Sequence, residues 1–154
     1  MNSLKILFKT FVISIPAMLN VTTLLVLFFY IYSVLGVQLF YDVKLNYPLD
    51  EKFNFQTIKA SMLTLMRVST GENWQQIMHA VSRTYSPLYQ CDVNFNPRAS
   101  DETLIKFIDS GYQANGCGHP IIGHAFFYIF QTLIVLIFLK LFVAIILQSF
   151  MEIQ

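Results

Sequence analysis

The sequence predicts an all-α membrane protein in which two transmembrane helices flank a long loop that re-enters the membrane as two short helices. Three observations predict it. Of 154 residues, 55% are hydrophobic and 16% aromatic, but only 12% are charged. An ordinary soluble domain is about 25% charged, so this chain has too little polar surface to cover a water-soluble sphere. Two long apolar runs lie at opposite ends of the chain, and the segment between them is itself patterned as helix, turn and helix. The same composition excludes a disordered chain. A net charge of +1 offers no basic face, so nucleic acid is not an expected partner.

The first run is uncharged from Thr10 to Tyr41, longer than the ~20 apolar residues that cross a ~30 Å hydrocarbon core. The outer helix is placed at 20–41, with Pro16 just ahead of it, where a helix can begin or bend. Before it, Leu4, Leu7, Phe8, Phe11 and Ile15 share one helical face while Lys5 and Lys9 lie off it. That spacing predicts an amphipathic helix over 1–19 lying along the inner membrane surface. The alternative is a simple extension of the first span. The second run, Gly123 to Met151, has Lys140 as its only charge and forms the inner helix at 123–154.

Two spans put both termini on one side. Lys5 and Lys9, with no acid nearby, place that side in the cytoplasm. Cys91 and Cys117, the only cysteines, then fall in a loop facing the oxidising exterior, where a disulfide between them is expected. The alternative is two free thiols. Cys117, His119 and His124 with Cys91 also offer ligands of the kind zinc uses, although Pro120 and Gly123 break any regular ligand spacing. Asn20-Val-Thr22 matches a glycosylation acceptor but lies at the cytoplasmic start of a span.

Residues 42–122 are too many for a connector and should carry function. Apolar residues at 55, 58, 62, 65 and 66 repeat at helical spacing, predicting a helix over 54–69 with Asn54 as its N-cap. It is too short to span. Trp74, Ile77, Met78 and Val81 mark a second helix over 73–83. Between them, at 69–74, Gly71 permits a turn and Glu72 follows it. The first helix aims its negative end at the turn, which favours a cation there, and Glu72 sits where the next helix's N-terminus keeps a carboxylate ionised. These parts suit a cation-attracting mouth.

Three stretches then carry a resemblance: Phe53-Asn-Phe-Gln-Thr57, Thr70-Gly-Glu-Asn-Trp74, and Leu141-Phe-Val-Ala-Ile-Ile-Leu-Gln-Ser-Phe150. In this order, between two spans, the chain resembles one pore module of the voltage-gated calcium and sodium channel superfamily. It is most similar to the calcium-type repeats, the last of the four above all. The resemblance implies a tetrameric or pseudo-tetrameric ion-channel pore in which Glu72 joins a ring of filter carboxylates. The carbonyls of Thr70 and Gly71 would coordinate a partly hydrated Ca2+ or Na+ below it, and Trp74 would anchor the filter; the alternatives are a solvated loop acid at Glu72 and a membrane-interface aromatic at Trp74. Asn73 would line the mouth or cap the following helix. Calcium takes six to eight oxygen ligands, more than one module supplies. The expected partners are therefore three further pore modules, as repeats of one longer chain or identical subunits, together with a voltage-sensor domain and the lipid bilayer. Starting at Met1, the chain has no room for that sensor and is expected to be a piece of a larger channel in the cell surface or a ciliary membrane.

On the inner helix, Val143, Ile146, Leu147 and Phe150 form one stripe that would gate the pore by dewetting, unless that stripe packs on neighbours. Lys140 stands where the family pattern reads Asn. It either snorkels to the cytoplasmic interface or faces the cavity and hinders cations. Permeant ions apart, no cofactor is implied. No nucleophile, base and orienting group converge, so catalysis is not expected. The rival to a conducting module is a non-conducting accessory subunit that retains the fold.

Overall fold

The computed structural model describes the backbone of residues 2–111 and 113–151, and leaves aside the side chains of residues 2–18, 20, 21, 139, 141, 142 and 144–151. Five helices follow one another: α1 (Asn2–Phe40), α2 (Ile58–Ser69), α3 (Trp74–Val81), α4 (Asp101–Asp109) and α5 (Pro120–Met151). Among the described residues β-structure is limited to isolated bridges. Thr22–Phe40 and Pro120–Phe138 are each long and apolar enough to cross a membrane.

α1 is one unbroken helix of 39 residues, about 58 Å long at 1.5 Å per residue and nearly twice the hydrocarbon thickness. No break separates residues 2–19 from the outer span. No glycine interrupts the chain before Gly36, and Pro16 removes a donor while keeping a helical φ. The amphipathic face expected over Ser3–Met18 lies outside the described side chains.

α2 lies on α1 through small residues. A Cβ on Gly36 would come within 2.8 Å of the Phe55 ring and 3.1 Å of Ser61 Oγ. Ser61 Oγ instead donates to the Ser33 carbonyl at 3.1 Å, a close helix approach of the kind small residues permit inside membranes. Aromatic rings fill the space between the spans. Phe28 stacks on Phe130 at 5.8 Å, and Phe40 meets Phe55 and Phe126 edge-on at 5.4 and 5.3 Å.

The N-cap of α2 is Thr57, whose hydroxyl accepts from the Ala60 N–H at 3.2 Å. Asn54, the residue expected there, is buried and has another task. Its Nδ2 donates to the Asp50 and Glu51 carbonyls, and its Oδ1 accepts from the Gln56 N–H. These bonds fold residues 50–56 into a bent entry, so the helix starts four residues later than its apolar spacing alone implies.

The outer segment closes onto the spans through backbone. Gly116 N–H donates to the Asp42 carbonyl, Gly118 N–H to Arg83 and His119 N–H to Val81. Cys91 and Cys117 are joined by a disulfide with Cα atoms 5.1 Å apart. α4, opened by a Ser100 capping box, stands within the loop that this bond closes.

Candidate functional site

α2 ends at Ser69, and its last carbonyls are taken up locally. Ser69 Oγ donates to Met66 O, Thr70 Oγ1 and N–H both bond Arg67 O, and Gly71 N–H bonds Val68 O. Gly71 then turns the chain at φ +83°, a conformation that glycine adopts without a Cβ penalty. Asn73 follows at φ +52° as the N-cap of α3 and makes no side-chain cap bond. Asn is among the few residues that tolerate this left-handed geometry. It therefore shapes the turn by its backbone.

The turn thus presents its acceptors outward. Among the described residues, the carbonyls of Thr70, Gly71 and Glu72 accept no hydrogen bond. Thr70, Gly71 and Glu72 are all exposed.

One residue at the site escaped the sequence reading. Arg67, in the last turn of α2, donates from Nε and Nη2 to Glu72 Oε1 at 3.0 and 2.8 Å. Its guanidinium also lies 4.8 Å from the centre of the Phe53 ring, a cation–π contact. The arginine side chain is 21% exposed and the glutamate 61%, so the cation sits behind the carboxylate. Both contacts use Oε1, and Oε2 accepts nothing among the described residues. A basic residue in the final turn of a helix aimed at a cation site was the available signal, since its charge needs an acid within reach.

Trp74 opens α3, packs on the core and meets Tyr128 of α5 edge-on at 6.2 Å. Its indole N–H has no partner among the described residues. Of the gate stripe, Val143 is 45% exposed, while the side chains of Ile146, Leu147 and Phe150 lie outside those described. Lys140 is exposed and falls two residues past the apolar stretch Pro120–Phe138. With their sulfurs bonded to each other, Cys91 and Cys117 are not available as zinc ligands beside His119 and His124.

The chain matches the family of ion transport proteins over residues 1–154. It is 32% identical to sodium channel protein 60E of Drosophila melanogaster over 95% of this chain and 4% of that protein. It is 33% identical to the mouse (Mus musculus) sodium channel protein type 5 subunit alpha, over 89% of this chain and 6% of that one. The human (Homo sapiens) sodium channel protein type 10 subunit alpha is 30% identical, over 97% of this chain and 7% of its own length. The chain therefore spans only a small fraction of the relatives it matches. Two membrane-crossing helices, a turn that offers unpaired oxygens between two short helices, and this match place the chain in the ion transport protein family, as a pore module of the voltage-gated channel superfamily and not an enzyme.

Proposed function

We propose that the chain conducts cations passively, as one of four modules around a shared pore, and contributes Glu72 to the filter ring. Carrying this reading is a carboxylate held from behind by Arg67, with its second oxygen unpaired, at the point where α2's negative end meets the turn. A carboxylate fixed in this way keeps a ligand oxygen ready without having to be ordered by each passing ion. Thr70 and Gly71 add carbonyl oxygens below it, Trp74 braces the filter and Asn73 shapes the mouth. The unpaired indole N–H of Trp74 suits a hydrogen bond to a neighbouring module. Oxygen-only ligands suit a hard cation, Ca2+ or Na+, and no cofactor is required.

The other modules are repeats of one longer chain, and a voltage-sensor domain drives the gate at Val143, Ile146, Leu147 and Phe150. Both termini face the cytoplasm of a surface or ciliary membrane, with the disulfide outside. Lys140, about 30 Å along α5 from Pro120 at 1.5 Å per residue, reaches the inner interface and snorkels there.

The test is the reversal potential of the intact channel containing this chain, under opposed calcium and sodium, with and without Glu72→Lys. A shift toward monovalent permeation, or loss of current at normal surface expression, is the expected result. An unchanged permeability ratio takes Glu72 off the ion path and favours the accessory-subunit reading.

A further inference from the structure

α3 and α5 each carry one imidazole toward the same spot. The His79 and His124 ring centres are 5.7 Å apart, with planes crossing at 73°. Two imidazoles on one tetrahedral zinc, with Zn–N of ~2.0–2.1 Å, place their ring centres about 5 Å apart. The observed spacing exceeds that by less than about 1 Å. His79 is exposed and His124 half-buried, and both line one open pocket with Ser82, Arg83 and Tyr89.

One further observation makes the pair more than a contact. His124 Nδ1 lies 2.6 Å from the Pro120 carbonyl oxygen. A carbonyl only accepts, so Nδ1 carries the hydrogen and the neutral ring's lone pair sits on Nε2. A carbonyl partner fixing the tautomer is the usual state of a metal-binding histidine. Arg83, the cation in the pocket wall, holds its guanidinium 5.3 Å from the centre of the Tyr89 ring.

We propose that His79 and His124 form a binding site for a zinc-type divalent cation bridging α3 to α5, with water completing the coordination. Among the described residues no group of three His, Cys, Asp or Glu converges. Two protein ligands make the site weak and exchangeable, suited to regulation rather than to holding the fold. Its reach to the filter is short. His124 meets Tyr128 at 6.4 Å, and Tyr128 meets Trp74 at 6.2 Å, so a metal there clamps the two helices on which Trp74 rests.

The site does not depend on conduction, and its test reads binding. Thermal unfolding of the purified intact channel is followed against zinc chloride, with magnesium chloride as control. Zinc, not magnesium, is expected to raise the melting temperature in a saturable way. His79→Ala and His124→Ala should each raise the half-saturating concentration at least about tenfold, and the double variant should add nothing further. His79→Cys, which keeps a ligand, should retain the response and move preference toward cadmium. A zinc response unchanged in both alanine variants overturns the proposal, as does no response in the unaltered channel. So does a double variant that loses as much again as either single one.

Discussion

The two short helices beside the filter turn are seated by different means. α2 rests on α1 through side chains, with the Phe55 ring over Gly36 and Ser61 bonded to the Ser33 carbonyl. α3 is tied at its far end by backbone, where the Gly118 and His119 N–H groups bond the Arg83 and Val81 carbonyls at 2.7 and 2.9 Å. A seat of side chains yields by rotamer change. One of backbone hydrogen bonds yields only by breaking them. Residues 70–73 therefore join a mount that can adjust to one that cannot, and the filter is referenced to α5 more firmly than to α1.

Adding one methyl group at each seat tests that difference most strongly. A Cβ on Gly118 would stand 2.2 Å from the Val81 carbonyl oxygen and 2.8 Å from the Arg83 nitrogen. Gly118→Ala is expected to prevent folding, read as loss of surface expression. At Gly36 the nearest obstacle is the Phe55 ring, so Gly36→Ala should cost about 1–3 kcal/mol and still reach the surface. Equal damage at both positions would erase the contrast.

Next in size is the disulfide, which anchors the strip entering α5. It closes a sequence separation of 26 residues, which corresponds to about 3–4 kcal/mol of loop-closure entropy. The double substitution Cys91→Ser with Cys117→Ser should lower the melting temperature and abolish the effect of a reducing agent on it. A protein whose melting is indifferent to reductant before substitution contradicts this.

On the adjustable side, Thr57→Ala removes the N-cap of α2 and should cost about 1 kcal/mol. Asn54→Ala, by contrast, should loosen the bent entry and leave the cap bond intact. Hydrogen exchange of the Ala60 amide separates the two.

The smallest effect is expected where the seats meet. Asp42, at the outer end of α1, has a buried Oδ1 without a partner among the described residues. Burial raises its carboxyl above the ordinary value of 3.8, against smaller lowering by its own backbone N–H, His119 and Arg98. An acid with a raised folded value holds its proton more tightly when folded. Stability is then highest below the ordinary value, falls as pH rises through the folded value, and carries the full cost at neutral pH. Asp42→Asn should raise the melting temperature at neutral pH and flatten that fall. A lower melting temperature at neutral pH would mean the charge is paired in the assembled channel.

Much of this was legible in the sequence because it follows from periodicity. The two spans, the two short helices and the turn at Gly71 all rest on apolar spacing and one glycine. Bounds were less legible where hydrogen bonds rather than apolar contacts decide them. Asn54 has the chemistry of a cap, yet its amide is used across residues 50–56, and Thr57 caps instead. The nine residues of α4 likewise begin at the Ser100 capping box, a hydrogen-bonded start that apolar spacing does not report. Arg67 is not legible from apolar spacing, because its five-residue step to Glu72 crosses the helix end, where helical spacing no longer applies.

The loop closed by Cys91 and Cys117 has a practical consequence. α4 lies wholly between the bonded cysteines, and Phe107 rests on Phe95 of the same segment at 6.2 Å. A protease cut at its exposed residues 98–106 would leave the two pieces covalently joined, visible as separate bands only after reduction. For the same reason, this segment is the natural place to insert an epitope or a fluorophore tag, because the bond at its base keeps the added length from pulling on the strip that seats α3.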